Sequence, residues 1–198
     1  MLEYNHCHDR IRLNRLRELK LLLRGNPPLM EALALCRDRL PVPAWIGAGA
    51  IRNAVWDDAH GRAPALGGDI DVVFHDPCLA PGADDRFAGI LRAACPRLAW
   101  DVTNQAHVHA WYPAYFGKDV APLASLAEAV ATWPDTATAV AVRLLPDGEF
   151  DVVAPFGLDD LFDLVLRWNP GRVSRDAFGA RIDGKQWLRR WPRLRVVS

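Results

Sequence analysis

The sequence predicts an α/β or α+β domain, with a mixed β-sheet, helices packed on it, and extra helices at both termini. Three observations carry that prediction. Segments with helical apolar spacing alternate with short runs rich in β-branched residues. Glycine and proline punctuate most of the junctions. Eight tryptophans, within 51% apolar residues over 198 positions, supply a full core without disulfide staples.

The elements follow in chain order. Ile11, Leu16, Leu19 and Leu23 place an amphipathic helix over 9–24, stopped by Gly25-Asn26. Pro27-Pro28 opens a second helix running to about Leu40, and Pro41 and Pro43 end it. Residues 1–43 thus form an N-terminal helical segment packed on a main domain, 44–198. A strand over 44–46 runs into Gly47-Ala48-Gly49, and a helix spans 50–60. Ile70, Val72, Val73 and Phe74 mark a strand, 83–95 a helix, and 98–103 the next strand. Helix is expected over 104–116 and 123–133. A strand over 137–145 is turned by Pro146-Asp147-Gly148 into a strand over 149–153. Helices over 157–167 and 174–191 close the chain, the last loosened at Gly179 and Gly184.

Charge is balanced overall but not along the chain. Residues 1–24 carry six basic and three acidic groups, residues 172–198 eight and two, so the centre is acidic. An acidic centre between basic ends suits a cation site flanked by phosphate-attracting surface; paired surface charge explains it equally well. No segment approaches the ~18 apolar residues of a membrane helix, and the charged N-terminus has no secretory apolar stretch. No membrane partner is therefore expected. Cys7, Cys36, Cys78 and Cys95 form no CxxC pair and read as reduced thiols of a cytoplasmic protein. His6-Cys7-His8 lacks a fourth metal ligand and reads as a frayed terminus.

The chemistry concentrates between Gly47 and Phe74. Glycines between a strand and a helix let backbone amides approach a phosphate, and the helix N-terminus adds free donors. Arg52 and Asn53, in the first helical turns, are candidates to reach that phosphate. A tight turn packing helix on strand is the competing reading. Asp69 and Asp71 are two apart on a strand, so they share one face. Two carboxylates ~5 Å apart repel by roughly 3 kcal/mol at an effective dielectric near ~20. A divalent cation reverses that sign, and hard oxygen ligands suit Mg2+ or Mn2+. The third carboxylate must come from another strand. Asp101 is preferred, because polar Thr103, Asn104, Gln105, His107 and His109 follow it; Asp151, in a hairpin, is the rival.

These residues together carry a resemblance. A glycine-rich turn opening a helix, Asp-x-Asp on a strand and one acid on a later strand resemble the DNA polymerase beta-like nucleotidyltransferase superfamily. More closely, the chain is similar to an uncharacterised bacterial nucleotidyltransferase-like family within it. The matching segments are Gly49-Ala50-Ile51-Arg52-Asn53 with Trp56-Asp57, Asp69-Ile70-Asp71-Val72, and Trp100-Asp101-Val102 with Asn104-Gln105. Trp133-Pro134 with Thr136 and Thr138, Ala154-Pro155-Phe156-Gly157, and Lys185 with Trp187 and Trp191 follow. Two departures stand out: Ala48 separates two glycines where the superfamily carries Gly-Gly or Gly-Ser, and the gap from Gly47 to Asp69 is longer than usual.

The resemblance implies the superfamily fold and transfer of a nucleoside monophosphate from a nucleoside triphosphate to a hydroxyl acceptor, whether small molecule, protein or RNA. It implies that Asp69, Asp71 and Asp101 hold the metal and that Gly47, Gly49, Arg52 and Asn53 hold the triphosphate. Asn104, Gln105, His107 and Lys185 remain candidate base or acceptor contacts, with helix capping open for Asn104 and Gln105. Arg181, Lys185 and Arg189 share a helix face that either meets phosphate or is simply solvated. An inactive nucleotide-binding relative and a metal-dependent phosphoesterase are the alternatives.

Overall fold

The computed structural model describes residues 2–197, with side chains from Leu13 onward. His6-Cys7-His8 lies outside the described side chains. Helix α1 (Leu2–Arg24) turns at Gly25 into α2 (Pro27–Arg39), whose Asn26 cap accepts the Leu29 amide at 3.2 Å. Then come β1 (Trp45–Gly47), α3 (Ala48–Ala59), β2 (Asp69–Phe74), α4 (Ala83–Ala94) and β3 (Ala99–Asn104). A 3-10 turn (Gln105–His107) leads to α5 (Val108–Phe116) and α6 (Leu126–Val130). The chain continues through β4 (Ala141–Leu144), β5 (Phe150–Val153), α7 (Asp159–Phe162) and β6 (Val165–Arg167). It closes with α8 (Arg175–Gly184), α9 (Trp187–Arg190) and β7 (Arg195–Val197).

The main sheet has five strands in the order β3-β2-β1-β4-β5. Only β2 and β3 run parallel; the crossover α4 returns the chain, burying Phe87 and Leu91 against the sheet. The other neighbours are antiparallel, so the sheet is mixed as expected. Leu19, Leu23, Leu29 and Leu33 from the first two helices belong to the same core as Trp56, Phe74 and Trp191. A second strand pair, β6 with β7, is parallel and lies apart from the main sheet.

Several elements differ from expectation, each for a local reason. The helix expected over 157–167 stops at Phe162. Leu164 takes φ +58°, and its carbonyl accepts the Arg195 amide, which starts the β6–β7 pairing. The helix expected over 174–191 is two, broken at Gln186 with φ +51°. The strand expected over 137–145 begins only at Ala141, because Asp135 first holds a turn by accepting the Thr138 amide at 2.8 Å. The helix expected over 123–133 shrinks to α6, fixed by reciprocal caps: Ser125 accepts the Glu128 amide, and Glu128 accepts the Ala124 amide.

Candidate active site

The site is built on the parallel ladder. Asp71 pairs in register with Asp101, and Asp69 lies two residues before Asp71 on the same face. The sequence puts acids there because both strands are held by the buried alternates, Ile70, Val72, Trp100 and Val102. Asp71 is half-buried, whereas Asp69 and Asp101 are exposed. Burial pushes the Asp71 carboxyl up to about 6. The Asp101 charge adds to that rise, the Gly49 amide opposes it, and Asp69 adds a little more. Asp151, the rival, lies on β5 and accepts from Arg143 at 2.9 Å.

A pocket of about 210 Å³ opens over this face. Asp71, Asp101, Thr103 and Gln105 line its sheet side; Trp133, Thr138 and Arg181 face them. Of the candidate contacts Asn104, Gln105, His107 and Lys185, Gln105 is the one that lines this pocket. The donor set fits a hard divalent cation, since Asp71 and Asp101 stand side by side with no ion-pair partner among the described residues. The described residues nevertheless hold no group of three His, Cys, Asp or Glu side chains already gathered around a metal position. Like charges on half-buried Asp71 and exposed Asp69 and Asp101 account for that: without a counter-ion they gain nothing by converging.

The glycine turn does different work from that expected of it. A Cβ on Gly47 would lie 2.5 Å from the Trp133 ring and 3.2 Å from the Val140 carbonyl. Gly47 is thus required by the packing of Trp133. Ala48 holds φ +49° and donates its amide to Val140 at 3.1 Å. Gly49 approaches the carboxylates instead: a Cβ there would lie 4.0 Å from Asp71 Oδ2.

Arg52 is corrected outright. It is 4% exposed. Its Nη1 donates to Thr138 at 2.8 Å and its Nη2 to Asn53 at 2.9 Å. Its guanidinium lies 4.2 Å over Trp187 and 5.0 Å over Trp56. Burial pulls it down to about 10, with buried Asp135 opposing. Arg52 holds the turn from inside the core, and Asn53 uses its Oδ1 to accept from it.

Asn104 is likewise structural. Its amide donates to the Asp76 carbonyl at 2.7 Å, and its oxygen accepts the Asp76 and Ala106 amides. His107 stands beside Asp84 rather than in the pocket, and helps hold that carboxyl down against burial. Lys185 is an exposed cap at the end of α8 and does not line the pocket. Of the basic face expected on this helix, only Arg181 reaches the site. Trp133, read from the sequence as a core residue, lines the pocket, and buried Asp135 went unassigned; the signal for both was the dense polar-aromatic run 133–138 just before a strand.

A family model described as nucleotidyltransferase matches residues 38–196. The chain belongs to this nucleotidyltransferase family. Among solved structures, it is similar to an NMR structure described as a CCA-adding enzyme head domain, at 26% identity and a TM-score of 0.76. That match covers 92% of this chain and 95% of the other. The Thermotoga maritima CCA-adding enzyme complexed with tRNA matches at 16% identity and TM-score 0.55, over 90% of this chain and 42% of that one. A CCA-adding enzyme complexed with CTP matches at 15% and 0.50, over 96% and 43%. The chain spans less than half of those two longer enzymes. No curated protein matches it. Family and fold make this nucleotidyltransferase an enzyme of nucleotidyl transfer, and none of its helices among the described residues is long and apolar enough to cross a membrane.

Proposed function

We propose that the chain transfers a nucleoside monophosphate from a nucleoside triphosphate to an acceptor hydroxyl, dependent on Mg2+ or Mn2+ held by Asp69, Asp71 and Asp101. The observation that carries this is the register pair Asp71–Asp101, with half-buried Asp71 pushed up to about 6 by burial and by that neighbour. Such a pair is poised for a cation it does not supply itself. When bound, the ion neutralises phosphate charge and polarises the α-phosphorus.

The residues of the chain do the rest. Gly49 offers its amide beside Asp71. Asp101, exposed at the pocket mouth, orients the acceptor hydroxyl and takes its proton. The hydroxyl oxygen bonds to the α-phosphorus while the bond to the bridging oxygen breaks, and pyrophosphate leaves. Gln105 and Thr103 line the same wall and position the acceptor. The free thiols Cys36, Cys78 and Cys95 support a cytoplasmic setting.

The test is release of pyrophosphate from labelled CTP and ATP, with and without Mg2+. CTP is included because a structure of the same fold is described as complexed with it. Metal-dependent release by the wild type, with a loss of about a hundredfold or more in Asp71→Asn and Asp101→Asn, is the expected result. Tight triphosphate binding without release favours a nucleotide-binding relative instead. Cleavage of a phosphodiester without triphosphate favours a phosphoesterase.

A further inference from the structure

The carboxylate pocket is small. Its volume is about 210 Å³, below the roughly 300–1,000 Å³ of small-ligand sites. A second cavity, about 750 Å³, adjoins it, and the two share Trp133, Pro134 and Arg181. The second cavity is lined by three cations, Lys118, Arg172 and Arg181, and by no Asp or Glu. Among the described residues none of the three enters an ion pair.

Arg52 is matched by Thr138 and Asn53, and half-buried Arg143 by Asp151. Arg52, Arg143 and Arg181 each have a buried Nε with no hydrogen-bond partner, but Arg181, unlike the other two, makes no side-chain hydrogen bond through its Nη atoms among the described residues. Arg172 is half-buried over the Tyr112 ring, 5.1 Å from its centroid, and desolvation pulls its guanidinium below the usual range. Arg181 already acts on Asp71 and buried Asp135, but half-buried Arg172 has no carboxylate beside it, and partial desolvation without a counter-charge is costly unless an anion arrives. Helix α8 also opens here: Ser174 accepts the Ala177 amide at 3.2 Å, and both residues line the cavity.

We propose that this cavity seats the polyphosphate of the nucleoside triphosphate, gripped by Lys118, Arg172 and Arg181, with Arg181 at the passage into the carboxylate pocket. The assignment rests on nucleotidyl transfer at Asp71 and Asp101. It adds cationic contacts from the C-terminal part of the chain to what the glycine turn offers, where Trp133 leaves no room for a side chain on Gly47. The α-phosphorus then lies at the shared wall, and the β- and γ-phosphates extend toward Arg172 and Lys118.

The experiment is titration calorimetry of the full chain with inorganic tripolyphosphate in metal-free buffer. The wild type binds; Arg172→Ala binds about tenfold more weakly, and Arg172→Ala/Lys118→Ala more weakly again. Arg172→Lys, which keeps the charge and the fold, retains most of the affinity. Asp71→Asn binds at least as tightly as the wild type, because a negative charge beside the site is gone. Absence of binding by the wild type overturns the proposal, as does unchanged affinity in the double variant. Loss of oligoribonucleotide binding in Arg172→Ala, with tripolyphosphate affinity intact, overturns it in favour of an acceptor site. If tripolyphosphate binding depends on Arg172 but pyrophosphate is never released, the polyphosphate seat stands and the transfer reading falls.

Discussion

Asp71 carries a cost that a metal ion would repay. Its folded-state pKa of about 6 lies above the ordinary 3.8, so the unfolded chain loses this proton first. Stability is therefore full below the ordinary value and falls as pH rises toward about 6, where it stays reduced. Asp71→Asn should raise the thermal midpoint at neutral pH by several degrees, with a ceiling of about 3 kcal/mol, and change it little near pH 3.8. Added Mg2+ should raise the wild-type midpoint and not the variant's. Circular-dichroism melts across that range check both; a variant less stable than wild type at neutral pH would refute them. The acids were legible in the sequence because a period of two and a β-branched run fix a strand face without reference to anything distant. Arg52 was not. Whether its face of α3 turns toward phosphate or toward the core depends on Trp187 and Thr138, which reach it from other parts of the chain. The packing demand on Gly47 was hidden for the same reason, its neighbour being Trp133.

At the scale of elements, helices with strong local signals were readable and pairings across distance were not. Asn26 with Pro27-Pro28 and the face of Phe87 and Leu91 gave α2 and α4 nearly to their ends. The strand β6 hid inside an apparent helix because its partner, β7, lies at the far end of the chain. The break between α8 and α9 is held by the backbone of Gln186 at φ +51°, and its side chain is exposed. Gln186→Val should lower the thermal midpoint by several degrees, because a β-branched residue resists that conformation by about 1–2 kcal/mol. Gln186→Gly should leave it unchanged or slightly higher. Equal melts for the valine and glycine variants would show that the break is not under backbone strain.

The whole molecule is tied together through its tryptophans. Trp191 stacks edge-on against Trp56 with centroids 5.1 Å apart and donates to buried Asp57 at 2.7 Å. Arg62 and Arg190 flank the same carboxylate. Leu19 and Leu23 of α1 pack into this core, so residues 13–43 share it with the rest of the chain. Trp191→Ala should lower the midpoint by about 6–20 °C, given ~3–5 kcal/mol for a large buried side chain, and keep a single calorimetric transition. Two separate transitions would mean that the N-terminal helices melt on their own. The mixed sheet was visible in the sequence as a class of architecture. Its strand order was not, because alternation alone does not say which strand sits at the centre. The placement of Arg181 has one more outcome. The acids arrive by the middle of the chain, but a wall of their pocket is delivered by α8, near its end. If Arg181 grips the polyphosphate as proposed, a growing polypeptide carries its acidic half long before it can hold a substrate, and stays silent until the last helices dock.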